Sequence, residues 1–473
     1  MAANAPFECG KICVVRYVRR TWRRTEERDQ SQAGAALSAA PNTVGKKAMK
    51  ALARMSVTVL ALCASPHVCV LYAAAESLPQ GPTVGDQDLS PFYRWTGALP
   101  EKPGLMLRQE GLPDQPEIVA AATARRILYT STDARWRSGI IPVSGTLYLP
   151  KRAAPQGGWP LVAWAHGTLG ASDRCAPSWS RHRPRDGEYI NNWLEQGFAV
   201  VATDYQGLGG PGPHPYLNWG AEGRSVLDAA RAALGHSNGQ IANTIIITGQ
   251  SQGSGASLGA TRLAPSYAPD LNIMASIATG IISAFPPADK KPSSEQSFAR
   301  SVPPQLTILM MIGGALGDDA IKPDDLVTEV GKPLLQAARE GCNAELAQVV
   351  RSNGLTLANS LKDPEIADRL SAVIDMSPVR MPVPVFLATG LADKAIHPQR
   401  QYAAVAALCA AGSHVVWKTY AGVSHNGTVH AAYSDELAFV QAALAGNPMQ
   451  SNCASIADPG PTGEPLPGFK FND

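Results

Sequence analysis

Thr244-Ile245-Ile246-Ile247-Thr248-Gly249-Gln250-Ser251-Gln252-Gly253 decides the reading of this chain. Its first five residues are all β-branched and predict a strand over 244–248. The stretch from Ser251 to Leu263 reads as a helix. A serine at a sharp strand-to-helix turn, with glycine two residues away on each side, fits the Gly-x-Ser-x-Gly nucleophile elbow. Such a turn forces the serine into a strained backbone conformation, so its neighbours at both flanks must be small. A second match, Gly255-Ala256-Ser257-Leu258-Gly259, falls inside the predicted helix. A hydroxyl there is expected to bond a backbone carbonyl. Ser251 is therefore the candidate nucleophile.

The same alternation extends outward. Ile127–Thr132 and Gly145–Leu149 read as paired strands joined near Ser138-Gly139. Leu161–His166 and Phe198–Thr203 are apolar strands, each followed by a helix, over 187–196 and 221–234. Strands resume at Ile273–Thr279, Val383–Ala388 and His414–Tyr420, with a helix over 398–411. Short apolar strands alternating with helices predict a mostly parallel sheet covered on both faces. Residues 281–380 break this rhythm with Pro286, Pro287, Pro303 and Pro304, then helix-favouring segments over 333–340, 344–352 and 364–374. A block that long exceeds an ordinary crossover and predicts a helical cap over the carboxyl edge of the sheet. Within it, Leu306, Ile308, Leu309, Met310, Met311 and Ile312 suit an acyl pocket, although buried core is the commoner role for such a run.

A serine hydroxyl needs a base within hydrogen-bond reach, and the base needs an orienting acid. In an elbow fold the order along the chain is serine, acid, histidine. Asp393 follows the strand ending at Ala388, and His425 follows the strand ending at Tyr420. Both fall just past the carboxyl ends of strands, so the predicted triad is Ser251, Asp393 and His425. His414 begins its strand, His397 stands too close to Asp393 in sequence, and His430 requires a longer loop; Asp375 is the reserve acid. The developing oxyanion needs preorganised N–H donors. Gln252 after the nucleophile and Thr168 in His166-Gly167-Thr168 are the expected pair, with Gly167 second to Thr168.

The chain has 473 residues, with 41 Lys and Arg against 39 Asp and Glu. Forty-three glycines and 38 prolines follow no period, which excludes a collagen-like fibre. Residues 1–54 hold eleven basic and four acidic residues, so the body is left acidic and offers no electrostatic case for nucleic acid. Lys46, Lys47, Lys50 and Arg54 precede an uncharged run from Ser56 to Ala75 that ends in Ala73-Ala74-Ala75. That is the pattern of a signal peptide, with an uncleaved anchor as the rival reading, and it predicts a secreted or periplasmic protein. Met49 or Met55 would give this signal a more ordinary start. The body keeps Cys175, Cys342, Cys409 and Cys453, compatible with two disulfides in any of three pairings. Their spacing matches no metal site, and no cofactor or metal is expected.

Beyond the elbow, Ala165-His166-Gly167-Thr168, Cys175-Ala176-Pro177-Ser178, the run from Ala202 to Gly209, and Pro213-His214-Pro215-Tyr216 accompany the Asp393 and His425 settings. Over about residues 120–455 the chain resembles α/β-hydrolases of the secretory lipase type, found among exported fungal and bacterial enzymes. The resemblance implies the α/β-hydrolase fold and a carboxylic ester hydrolase, often acting on lipids, with a helical cap between nucleophile and acid. It also implies pairing of Cys409 with Cys453, leaving Cys175 with Cys342. Ser254 departs from the glycine that many relatives carry, and fungal members differ at His166-Gly167. The expected organisation is a leader over 1–75, an N-terminal arm over 76–120 and a core over 121–280 and 381–455. A cap over 281–380 and a C-terminal tail over 456–473 complete it. The expected partner is a small-molecule or lipid ester, with transient contact with a lipid interface; the sequence specifies no oligomeric state.

Other classes compete. Gly207-Leu208-Gly209-Gly210-Pro211-Gly212 matches the dinucleotide fingerprint, but Pro211, Pro213 and Pro215 oppose the helix that motif must open. A serine peptidase or acyltransferase would use the same triad, and a non-catalytic binding protein would use the same fold.

Overall fold

Isoleucine at three successive positions, 245–247, works because this strand is buried on both faces. Ile245 and Ile247 pack with one core cluster and Ile246 with another on the opposite side. The computed structural model describes residues 86–473 except 113–114, 135–138, 286–302, 315–321, 365, 367–369, 371–373, 448–449 and 473. The predicted leader lies outside the described residues, as does most of the predicted helix over 364–374.

The strands are β1 (Met106–Gly111), β2 (Ala121–Thr132), β3 (Ile140–Pro150), β4 (Trp159–Ala165) and β5 (Ala199–Thr203). They continue as β6 (Ile241–Gln250), β7 (Ile273–Thr279), β8 (Val385–Gly390) and β9 (Val415–Tyr420). One nine-stranded sheet joins them in the order β1-β2-β3-β5-β4-β6-β7-β8-β9. β1, β2, β3 and β5 pair antiparallel, and every later pair is parallel.

The longer helices are α1 (Pro184–Glu195), α2 (Trp219–His236), α3 (Gln252–Tyr267), α4 (Pro304–Gly314), α5 (Lys332–Glu340), α6 (Asn343–Ser352), α7 (Pro398–Ala410) and α8 (Tyr433–Leu444). Val226 and Ala230 of α2 and Ala256 and Ala260 of α3 pack with Leu161, Ala163, Ile245 and Ile247 on one face. Tyr189 and Trp193 of α1 and Phe439 and Val440 of α8 pack with Val162, Trp164 and Ile246 on the other. The period of two along each strand thus feeds two cores at once.

Part of the predicted N-terminal arm is a strand. β1 pairs with β2 at the sheet edge, and its Met-Leu-Arg-Gln-Glu-Gly sequence carries no buried apolar face to betray it. Phe92 and Tyr93, also in the arm, are buried against Leu128. The helical block over 281–380 has its own core, in which Ile308, Leu309, Met310, Met311 and Ile312 of α4 are all buried. That is the core role for the run. The block also packs on Ala171, Tyr216 and Ile396, which follow β4, β5 and β8. It therefore rests on the carboxyl edge of the sheet.

Cys175 is bonded to Cys342 and Cys409 to Cys453, the pairing that the resemblance implies. The first ties the loop after β4 to the start of α6, and the second ties α7 to the segment beyond α8. Among the described residues no helix is long and apolar enough to cross a membrane.

Candidate active site

In an open α/β sheet, ligands meet the carboxyl ends of strands where the strand order reverses. Here that point lies at β4, whose chain continues into β5 on one side while β6 pairs on the other. Its loop, His166–Thr168, and the end of β6 at Ser251 are therefore neighbours.

Ser251 joins β6 to α3 with φ 58° and ψ −119°, in the left-handed half of the map that side chains avoid. Its neighbours make that turn sterically possible. A Cβ on Gly249 would sit 1.9 Å from the Gly253 carbonyl oxygen, and one on Gly253 would sit 1.9 Å from that of Ala165. The Ser251 N–H donates to the Thr279 carbonyl at the end of β7, at 2.9 Å. Ser254, the departure noted in the sequence, adds a brace: its hydroxyl donates to the Ser251 carbonyl at 2.6 Å and accepts the Ile282 N–H at 3.0 Å. Ser257, from the second match, is fully buried inside α3 and donates to the Ile277 carbonyl at 2.8 Å. It is a structural serine.

Asp393 and His425 come from the turns after β8 and β9. His425 Nδ1 lies 2.7 Å from Asp393 Oδ2. Asp393 is fully buried, and its acceptor capacity is filled. Oδ1 accepts the Ala395 and Ile396 N–H groups at 2.9 and 2.7 Å, and Oδ2 also accepts Gln401 Nε2 at 2.8 Å. With Nδ1 committed to the carboxylate, Nε2 is the nitrogen left to act as a base. The imidazole rests on Gly280, where an added Cβ would lie 2.7 Å from Cε1 and 2.9 Å from Nδ1. Gly280 directly follows Thr279, the acceptor of the Ser251 N–H. The His425 carbonyl in turn accepts Gln250 Nε2 at 3.3 Å, one residue before Ser251. The three predicted triad residues are thus gathered at one end of β6, β7, β8 and β9.

The other histidines are engaged elsewhere. His397 Nδ1 is 2.8 Å from the Thr462 hydroxyl, and His430 Nε2 is 3.0 Å from the Arg185 carbonyl. Asp375, the reserve acid, is half-buried and bridges backbone with Ala284, with its carbonyl accepting Trp219 Nε1.

The loop after β4 is pressed against the elbow. A Cβ on Gly167 would lie 2.5 Å from Gln250 Oε1. The Thr168 hydroxyl is 2.7 Å from that of Tyr216, and Arg183 donates to its carbonyl. His166 is fully buried, and desolvation lowers its pKa to about 4, so it is neutral at pH 7. Gln252 is the first residue of α3, and the leading N–H groups of a helix have no intrahelical acceptor. Gly207–Gly212 opens no helix; the next one starts at Trp219. The dinucleotide reading fails there.

Sequence reasoning missed four supports: Gln401 on Asp393, Gly280 beneath the imidazole, Gln250 on the His425 backbone, and the C-terminal segment. Asn472 Oδ1 accepts the Ser424 N–H, while its Nδ2 donates to the Gly422 carbonyl at 2.9 Å. The Gly463 N–H donates to the Leu391 carbonyl at 2.8 Å, so the predicted tail holds both loops that carry Asp393 and His425. Only Gly280 left a signal, as a glycine just past the end of a parallel strand. A cleft lined by Lys102, Arg231, Tyr267 and Asp270 lies near the amino end of β6, opposite the end where Ser251 stands.

A family model for secretory lipases matches residues 185–452. Lipase A of Moesziomyces aphidis is 27% identical over 231 residues, 46% of this chain and 48% of that protein. A protein of Mycobacterium tuberculosis described as a probable inactive lipase is 30% identical over 193 residues, 37% of this chain and 41% of its own length. The chain thus spans about half or less of the length of the curated relatives it matches. Among solved structures, lipase A of Candida antarctica in its closed state superposes with a TM-score of 0.60 at 18% identity, covering 82% of this chain and 90% of that one. That likeness shows the α/β-hydrolase fold. With more than half of the sequence matched by the family model, on a sheet that carries the elbow at the expected strand end, the chain belongs to the secretory lipase family.

Proposed function

We propose that the protein is a secreted serine carboxylic ester hydrolase, a lipase or esterase that works through an acyl-enzyme on Ser251. One observation carries the reading: the 2.7 Å contact between His425 Nδ1 and Asp393 Oδ2, on a ring resting at Gly280 beside the elbow. His425 Nε2 takes the Ser251 proton as the hydroxyl oxygen attacks the ester carbonyl. Asp393 holds the imidazole in the productive tautomer and stabilises its charged form. The backbone N–H groups of Gln252 and Thr168 receive the oxyanion. The protonated His425 then gives its proton to the departing alcohol, and water, activated by the same nitrogen, releases the acid. No cofactor or metal enters these steps.

Export is supported by membership in a secretory family and by the two disulfides, which persist in oxidising compartments. The helical block over 281–380 packs on the loops after β4, β5 and β8, which supports its role as a cap that shapes the acyl site. Ester substrates follow from the resemblance to Lipase A of Moesziomyces aphidis.

A second reading has a specific support, since one relative is described as a probable inactive lipase. Purified protein assayed on p-nitrophenyl esters of short to long acyl chains, beside aminoacyl p-nitroanilides, separates the cases. Ester turnover that falls at least about a thousandfold in Ser251→Ala, with the circular dichroism spectrum unchanged, is expected. Turnover of the anilides alone would assign a peptidase. No turnover, with Ser251 unlabelled by a fluorophosphonate, would assign a binding protein.

A further inference from the structure

Gln252 has a side chain that the reaction does not use, fully buried beside another buried polar group, Glu222 in the first turn of α2. Gln252 Nε2 donates to Glu222 Oε1 at 2.7 Å, and its second hydrogen faces His214 Nε2 at 2.8 Å. His214 Nδ1 lies 2.8 Å from the Gln206 carbonyl, so Nδ1 carries the ring proton and Nε2 accepts. That assigns the Gln252 amide: its nitrogen faces His214 and Glu222, and the reverse orientation would need a doubly protonated His214. Burial opposes that form, lowering the His214 pKa to about 3.

Two oxygens are then buried without a donor, Gln252 Oε1 and Glu222 Oε2. Glu222 Oε1 is already satisfied, accepting the Leu217 N–H at 2.9 Å as well. A carboxyl and an amide that already share one N–H···O bond are completed by a single proton on the second carboxyl oxygen. We propose that Glu222 is a positioning residue for Gln252: a protonated carboxyl paired side by side with its amide, which fixes the start of α3 and therefore the oxyanion N–H. The inference rests on the reading of Gln252 under the proposed function.

The surroundings favour a neutral acid. Desolvation raises the Glu222 pKa to about 8, only partly countered by the bonds from Gln252 and Leu217. The titratable groups that act on it or neighbour it are His214 and the buried Tyr205 and Tyr216, all neutral at pH 7; Arg183 and Asp186 act on those tyrosines at longer range. The helices themselves are locked together. A Cβ on Gly223 would lie 2.7 Å from the Ala260 nitrogen, and one on Gly259 would lie 2.5 Å from the Trp219 carbonyl oxygen. The backbones that carry Glu222 and Gln252 are therefore held in close approach, with both side chains fully buried between them.

Glu222→Gln and Glu222→Leu test this in the full chain. Glutamine keeps both bonds, since its NH2 replaces the acid O–H. It should retain kcat on a p-nitrophenyl ester within about threefold, whereas leucine should lower kcat by about tenfold or more with a smaller change in KM. Wild-type kcat should fall as pH passes about 8, with that decline weakened in Glu222→Gln. A readout independent of activity is the infrared difference spectrum at neutral pH, which should show a protonated-carboxyl C=O band in wild type that Glu222→Gln lacks. Glutamine as damaging as leucine in a folded protein, or no such band, overturns the proposal. Ester turnover untouched by Ser251→Ala would instead sink the reading of an acyl-enzyme on Ser251, while the infrared band would still judge the state of Glu222.

Discussion

Gln401 donates through Nε2 to the same Asp393 oxygen, Oδ2, that faces His425 Nδ1, at 2.8 Å. Nε2 also donates to the Ile396 carbonyl at 2.7 Å, and Oε1 accepts the Ile281 N–H at 3.1 Å and the Thr389 hydroxyl at 3.0 Å, so the amide orientation is set by four partners. Gln401 therefore aims the carboxylate at the imidazole without touching any reacting atom. Replacing it by leucine should cost about ten- to a hundredfold in kcat with little change in KM, because orientation matters most in the transition state. Steady-state kinetics on a soluble ester checks this. An unchanged kcat would remove Gln401 from the machinery.

Asp393→Asn tests the tautomer itself. An asparagine that turns its NH2 toward His425 would make Nδ1 the acceptor and leave the proton on Nε2, where it cannot serve as base. The expected loss is about ten-thousandfold in kcat, with Ser251 labelling by a fluorophosphonate slowed in parallel.

Gly253→Ala is expected to fail as a folded protein. Its Cβ would have to occupy a point 1.9 Å from the Ala165 carbonyl oxygen, which is backbone and cannot swing aside. Shifting β4 against α3 should cost about 4 kcal/mol or more, in the range reserved for core disruption. Thermal melting of any soluble product is the measurement.

The Cys175→Ala/Cys342→Ala double variant should lose roughly 2–5 kcal/mol of stability, because the bond closes a long loop between the core and the helical block. Denaturant unfolding of the variant against wild type checks it. Limited proteolysis should cut first within the block over 281–380, which the bond holds to the loop after β4.

Glu436 gives a pH signature. It is fully buried, accepts the Tyr189 hydroxyl at 2.6 Å, and burial raises its pKa from 4.5 to about 8. Between those values the folded protein holds a proton that the unfolded chain has released, so this group lowers stability as pH rises from about 4.5 to about 8. Glu436→Gln should remove that slope. The melting temperature of the variant relative to wild type should climb through this window, by an amount worth on the order of 5 kcal/mol, and level off above it.

The elbow, the strand ends bearing Asp393 and His425, and the parallel sheet were legible because each leaves a local mark. β-Branched runs mark buried parallel strands, as at 244–248, and two glycines mark the clash at the turn. β1 left no such mark because an edge strand with polar residues has no apolar face to repeat. The run Leu306–Ile312 showed that it is apolar, and packing alone made it core.

By itself, then, the sequence determined which residue types stand at the carboxyl ends of which strands, since backbone sterics and side-chain periodicity act between near neighbours. Tertiary structure alone decided which distant groups hold them: Gln401 on Asp393, Gly280 under His425, Asn472 on the Ser424 backbone, Glu222 beside Gln252. Glu222 is thirty residues from Gln252 and Asn472 forty-eight from Ser424, and no local pattern records a partner at that range. A buried polar atom must find some partner, but its identity is set only when the chain folds back on itself.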